Sequence, residues 1–388
     1  MTDQNTGLFV INIFVLALCG GLYMVLPYLT RKSLLFGVKV PPEAYSDPAA
    51  QEMRRSYVRV CLLGTLVLLL ICVAQFMLWR EWTMAATMYL PLLVIPLYFI
   101  AFVPNWKRAV QLKAERGWQV PSVIFAETNS SHTRGKLSNV PWGWYIAGLV
   151  IVLATFAIAV IQYPHLPDMI AAHLDGSMQP TRMIPKTWGS VLMVPLMNLA
   201  LLAIMLPVGI MIERAKLQID PSAPRKSFAQ HRAYRSRMGN AMGFLILSMI
   251  LLIGLVGLPI LFPVSPALGG GIFRIAMVVL IVIPLIVLVA VVLKTGQGGC
   301  KVKVDVDESA TENESISAEK SKAYGRGDDK YWIIGTFYYN PDDLAYIVED
   351  RFGTNIGFNY AKRLVQLGTV LLVLGLVAIY VWSTMQLL

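Results

Sequence analysis

The sequence predicts an all-α polytopic membrane protein of about eight transmembrane helices, with both termini outside and a small α+β cytoplasmic module before the last helix. Three observations carry that prediction. Apolar runs of about 20 residues, enough to cross a hydrocarbon layer of roughly 30 Å, recur along the chain. Of the 388 residues, 56% are hydrophobic and only 14% are charged, with a mean hydropathy of +0.60; a soluble domain carries about 25% charged residues. The Lys and Arg residues are concentrated in alternate loops.

In chain order the spans are 7–30, 60–78, 83–103, 142–162, 188–212, 241–262, 275–293 and 364–385. The first has no basic residue before it and no small-residue cleavage site after it, so it is expected to be a retained helix rather than a signal peptide. Loops 31–59, 105–140, 213–240 and 294–363 carry 6, 6, 7 and 10 basic residues, 29 of the 33. By the positive-inside rule these loops are cytoplasmic. Only Arg80, Arg182, Lys186 and Arg274 remain outside. The net charge of +10 is therefore matched to anionic lipid on the cytoplasmic face, and no direct nucleic acid binding is expected. Proline lies within several spans, at Pro91, Pro96, Pro195, Pro207, Pro259 and Pro284, which predicts kinks.

The domain division that follows is a seven-helix membrane region over 1–293 with an outer loop at 163–187, an acidic tether over 294–330, a cytoplasmic module over 331–363 and a final helix over 364–388. The tether contains DVDESATENESISAEKSKAYGRGDD, polar and poor in aromatics, a composition that predicts disorder. Beyond it YWIIGTFYY reads as a strand. Asn340, Pro341, Asp342 and Asp343 then resemble a helix start, predicting a short helix from Pro341 to Phe352 that ends at Gly353. Internal repeats are not evident.

None of the eight spans holds Asp, Glu, Lys, Arg or His in its apolar interior, which weighs against ion-coupled transport and proton relays. Gln75, Asn198 and Gln366 are the polar residues left there, and interhelical hydrogen bonding is their expected role. No protease, hydrolase-elbow, phosphate-loop or dinucleotide signature occurs, so no catalytic residue is named. The four cysteines show no metal or disulfide spacing.

Side-chain chemistry concentrates in the outer loop. His165, Asp168, His173 and Asp175 are able by ligand type to hold zinc or another divalent ion, although their spacing is not a tight metal pattern and no cofactor is expected. A capped surface loop is the plainer alternative. The basic stretch with Arg225, Lys226, Arg232, Arg235 and Arg237 reads as a phospholipid-facing segment. Ser227 to Gln230 there has capping-box spacing, which would start an amphipathic helix with Phe228 and Tyr234 at the interface.

Leu166-Pro167-Asp168, His173 five residues after the aspartate, Gln179-Pro180-Thr181-Arg182 and Lys186 resemble the "LPD, four residues, H, then G, then K" signature of a bacterial membrane domain of unknown function, found in SdpI-type toxin-immunity and signalling proteins. Where the family places glycine after the histidine, this chain has Met178, with Gly176 two residues earlier. Lys32 to Val38, Pro41-Pro42-Glu43, Arg54-Arg55 and Tyr57 are similar to the first inner loop of larger members. Asp328 to Trp332, Tyr339 to Asp343 and Arg351-Phe352-Gly353 are similar to a module that accompanies the domain.

The resemblance implies a bacterial plasma-membrane protein that senses or neutralises a secreted peptide toxin and docks a regulatory protein inside. Pro167, Asp168, His173, Arg182 and Lys186 are the expected recognition residues. Trp332, Asp342 and Asp343, with the basic stretch, are the expected inner contacts. Two alternatives stand beside it: a metal-dependent membrane peptidase or lipid hydrolase on the outer His/Asp cluster, and a small-molecule transporter built on the proline-rich helices.

Overall fold

The computed structural model describes residues 2–119, 140–174, 180–214, 223–262, 266–305, 327–351 and 357–387. The protein is an all-α polytopic membrane protein: among these residues seven helices are long and apolar enough to cross a membrane. The chain forms two compact units, Met1–His132 with Ala215–Ala229 and Gly296–Leu388, and Thr133–Arg214 with Gln230–Thr295.

In the first unit, α1 (Thr2–Leu29) packs along α2 (Pro48–Leu78), and α2 along α4 (Val94–Glu115). The crossings are close because one partner is small. A Cβ at Gly20 would overlap Thr65, and one at Gly64 would overlap Leu97. Asn12 is buried and donates to Thr87 Oγ1 at 3.1 Å, tying α1 to α3 (Thr83–Tyr89). The third expected span is not one helix: a 3₁₀ segment at Leu90–Leu93 breaks it at Pro91, and α4 then continues to Glu115. Pro96 lies in the first turn of α4, where its missing N–H has no intrahelical partner to lose. Pro195, Pro207, Pro259 and Pro284 stay within unbroken helices.

α2 starts twelve residues before its apolar run because Asp47 caps it, accepting from the Ala49 amide at 2.8 Å, with Pro48 in the first turn. Between α1 and α2 a small hairpin, β1 (Leu34–Leu35) and β2 (Val38–Lys39), turns through Phe36 and Gly37, both at positive φ. This is the geometry favoured in two-residue hairpins.

The carboxyl-side module departs from expectation in two places. The YWIIGTFYY stretch is not one strand but a hairpin, β5 (Trp332–Ile333) paired with β6 (Phe337–Tyr338), because Ile334 and Gly335 take positive φ and reverse the chain. The helix expected from Pro341 does not form over the described residues. Asn340 Oδ1 accepts from the Asp342 amide and Asp343 Oδ1 from the Ala345 amide, so the side chains hold a series of Asx turns in place of helical hydrogen bonds. Ile347 and Val348 then form β7, paired with β8 (Gly357–Phe358). Asn359, fully buried, accepts from the Asn340 and Ala361 amides and donates to the Asn340 and Asp343 carbonyls, closing the module.

The stretch read as a tether is ordered at its start: Gln297, Gly298, Gly299 and Val302 are buried, and Gln297 Nε2 donates to the Asp350 carbonyl at 3.0 Å. Its middle, 306–326, lies outside the described residues. The last helix, α9 (Arg363–Leu387), follows the module.

The second unit contains α5 (Trp142–Gln162), α6 (Trp188–Arg214), α7 (Pro224–Leu261) from Gln230 onward and α8 (Pro266–Thr295). Asn198 is fully buried and donates to the Ile250 carbonyl at 3.1 Å, an interhelical bond between α6 and α7, whereas Gln75 and Gln366 bond their own chain locally. α7 begins at Pro224, three residues ahead of the expected Ser227 cap. Tyr234 is buried while Phe228 is exposed.

Candidate functional site

The segment joining α5 to α6 is not an irregular loop. After Gln162 a 3₁₀ turn, Tyr163–His165, redirects the chain, and β3 (Met169–Leu174) pairs antiparallel with β4 (Pro180–Pro185). Ile170 faces Ile184 across the ladder, and Ala171 faces Met183. Register shifts on either side of His173 bring it opposite Arg182. One face is apolar and inward: Leu166 and Ile170 are buried with Ala159, Val191 and Leu261 at the ends of α5, α6 and α7. Met169 and Met183 stand exposed. This alternation is that of a half-covered two-stranded sheet.

The base of the hairpin is clamped by the residues of the LPD…K signature. The Lys186 amide donates to the Asp168 carbonyl at 2.8 Å, and its ammonium donates to the Leu166 carbonyl at 2.8 Å. The same ammonium lies 4.0 Å from Asp168 Oδ1 and 5.5 Å from the centre of the Tyr163 ring. That ring stacks on Trp188 at 3.8 Å. Thr187 and Ser190 cap α6 reciprocally, each side-chain oxygen accepting from the other residue's amide. Lysine suits the position because its charged end both reaches the Leu166 carbonyl and lies over the Tyr163 ring.

The expected recognition residues separate by role. Lys186 is a structural clamp. Asp168 exposes its carboxylate fully, and its 4.0 Å ion pair in water contributes little stability. Pro167, His165 and Arg182 are exposed. His173 is placed by its backbone in β3, and Asp175 and the hairpin tip lie outside the described residues. Five residues of extended chain, roughly 16 Å, separate the backbones of Asp168 and His173. Among the described residues no three His, Cys, Asp or Glu side chains gather as a metal site.

Lys186→Met keeps the stem and removes the donor to Leu166. It is expected to destabilise the hairpin by about 1–3 kcal/mol, read as faster amide hydrogen exchange at Ile170 and Ile184. Unchanged exchange there, with the rest of the chain also unchanged, would show that the clamp does not hold the base.

The expected inner contacts also divide. Arg225 and Arg235 are half-buried, and Arg235 donates to the Glu213 carbonyl at 2.6 Å; Lys226, Arg232 and Arg237 are exposed on α7. Asp342 is exposed. Trp332 and Asp343 are buried and face the interior: Trp332 lies beneath the Arg351 guanidinium at 4.7 Å, and Asp343 accepts from the Tyr338 hydroxyl at 3.0 Å.

Sequence reasoning missed an ionic centre in the first unit. Asp329 receives Arg351 and Lys113 on its two carboxylate oxygens and the Lys39 amide at 3.1 Å. Arg351, almost wholly buried, also donates to the Gly37 carbonyl at 3.1 Å, and Arg31 pairs with buried Glu349. Burial pushes the Arg351 guanidinium below its ordinary value, with Asp329 opposing that shift. Burial raises the neighbouring Asp328 carboxyl, but hydrogen bonds from Lys330 and the charges of Lys330 and Arg351 outweigh it and leave the group below the usual range. Phe337 of β6 stacks on Phe99 of α4. The carboxyl-side module is thus docked on the first loop and α4. Their complementary charges were the available signal.

No curated protein and no solved structure matches the chain. Residues 150–199, which hold the end of α5, the clamped hairpin and the first half of α6, match the model of a domain of unknown function, DUF1648, which is the domain found in SdpI-like membrane proteins.

Proposed function

We propose that this chain is a multi-pass protein of the bacterial plasma membrane that meets a secreted peptide toxin through the α5–α6 hairpin, protecting the cell and relaying the toxin's presence to a cytoplasmic partner. One observation carries the reading: a hairpin built at the DUF1648 segment with a clamped base and a buried apolar face at Leu166 and Ile170, with His165, Asp168, Met169, Arg182 and Met183 exposed around it. Such a surface offers an amphipathic peptide charged groups of both signs and two adaptable thioethers. The hairpin's outer edges are unpaired among the described residues, so an extended peptide has main-chain partners as well.

The placement of the hairpin outside rests on the loop charge count, since the segments at the other ends of α5 and α6 carry 6 and 7 basic residues whereas the hairpin segment has only Arg182 and Lys186. On the same count Lys226, Arg232 and Arg237 face anionic lipid on the inner side.

The test is a killing assay with secreted membrane-active peptides on cells lacking the protein and on cells expressing it at equal membrane level as wild type, Asp168→Ala, Arg182→Glu or His173→Ala. Wild type is expected to protect. Arg182→Glu, which reverses an exposed charge, is expected to lower the tolerated peptide concentration about tenfold, the effect of losing about 1.4 kcal/mol of binding. Equal killing of all lines would overturn the immunity reading for those peptides.

A further inference from the structure

We propose that a cleft at the start of α2 binds a phosphate-bearing anion, either the headgroup of a membrane lipid or free phosphate. The cleft has a volume of about 340 Å³ and is lined by Tyr28, Tyr45, Ser46, Gln51, Arg54 and Arg55. It lies at the small end of the roughly 300–1,000 Å³ typical of ligand clefts. α1 supplies Tyr28 from its last turn, the 3₁₀ segment Pro42–Ser46 supplies Tyr45 and Ser46, and the capped start of α2 supplies the rest.

Arg54 is the anchor. It is only 5% exposed, donates to the Tyr45 carbonyl and lies 4.1 Å from the centre of the Tyr45 ring. Among the described residues no carboxylate pairs with it. Nearby acids are engaged elsewhere, Glu52 with Arg59 at 3.3 Å and Asp47 with Arg116 at 3.2 Å. A buried guanidinium is retained where its charge and donors find partners, and arginine has five N–H groups to satisfy. Arg55 on the exposed side and the Lys32 ammonium, 5.8 Å from the Tyr45 ring, add to the positive field.

Two guanidinium groups with hydroxyl and amide donors around one small cleft match the several acceptor oxygens of a phosphate, which arginine grips in a bidentate fork. The depth agrees. The exposed apolar face of α2 begins at Leu62, and Arg55 lies seven residues earlier, roughly 10 Å along the helix. Lipid headgroups occupy about 5–8 Å beyond each edge of the hydrocarbon. The cleft therefore stands at or just outside the level of lipid phosphates, where a headgroup or a free ion reaches it.

The experiment measures equilibrium binding of radiolabelled dioctanoyl phosphatidylglycerol and of radiolabelled inorganic phosphate to the full chain in nonionic detergent, with dioctanoylglycerol as the headgroup-free comparison. Saturable binding of at least one phosphate-bearing probe is expected, with none of dioctanoylglycerol. Arg55→Glu, at an exposed position, should weaken binding about tenfold or more, and Arg54→Gln should abolish it. Arg59→Gln, outside the cleft, should leave it unchanged. Inorganic phosphate that binds and displaces the lipid assigns the site to a free anion; lipid binding that phosphate fails to displace assigns it to a headgroup. The proposal is overturned if neither phosphate probe binds, if Arg54→Gln and Arg55→Glu bind as wild type, or if dioctanoylglycerol binds as tightly.

Discussion

Asp329→Ala is expected to destabilise the first unit by about 3–5 kcal/mol, the usual consequence of leaving a buried ion without its partner. Arg351 has a side chain only 1% exposed and has Asp329 as its counterion, and guanidinium cannot neutralise itself by releasing a proton at any ordinary pH. The same carboxylate also serves Lys113 and the Lys39 amide, so its removal affects α4, the β1–β2 hairpin and the carboxyl-side module together. Arg351→Met should cost less, because Asp329 then keeps Lys113 and the Lys39 amide. The double variant Asp329→Ala with Arg351→Met should be milder than Asp329→Ala alone, since no uncompensated guanidinium remains. Denaturant unfolding of the full chain in detergent measures all three. Equal losses for the two single variants, summing in the double, would show that the pair is not coupled.

The membrane architecture was legible because it is written in composition and run length, which need no knowledge of packing. The apolar runs located the spans, but helix starts moved wherever polar residues continue a helix beyond the apolar stretch. Asp47 and Pro48 are a cap and first turn readable in sequence, yet the apolar pattern alone begins α2 at Val60. α7 likewise starts at Pro224, within a basic stretch that hydropathy treats as loop.

The carboxyl-side module was the least legible part. Asn340, Pro341, Asp342 and Asp343 carry the residue types of a helix start, and those types also form Asx turns. The choice is made by Asn359, nineteen residues away, whose side chain binds Asn340 and Asp343 from across the module. Trp332 similarly reads as a surface feature because Arg351, which lies over its ring, is nineteen residues away. The segment 163–187 reads from its sequence as chemically rich. Its motif residues divide into an internal clamp at Lys186 and a displayed carboxylate at Asp168, a division that only the fold defines.

Gly37→Ala is expected to cost about 2–5 kcal/mol, from two separate sources. Gly37 has φ of +78°, a conformation that disfavours an L side chain by about 1–2 kcal/mol. A Cβ there would also lie 2.7 Å from the carbonyl carbon of Gly335 and 2.8 Å from its Cα, and overpacking of that kind costs about 1–3 kcal/mol. The obstacle is backbone, so no rotamer change relieves it. Gly335 is itself at φ +67°, with Phe36 O and Trp106 Cδ1 each 2.9 Å from its own would-be Cβ, so the second turn has no room to retreat. Gly117→Ala separates the two terms: φ is +61° there, but nothing lies within 4 Å, so only the backbone preference is lost, about 1 kcal/mol. Unfolding midpoints of Gly37→Ala and Gly117→Ala in the same detergent, with amide exchange at Val38 and Gly335, read the difference. A larger loss at Gly37, with faster exchange at both amides, is the expected result. Equal losses at the two glycines would mean that the β1–β2 and β5–β6 turns do not touch in the folded protein.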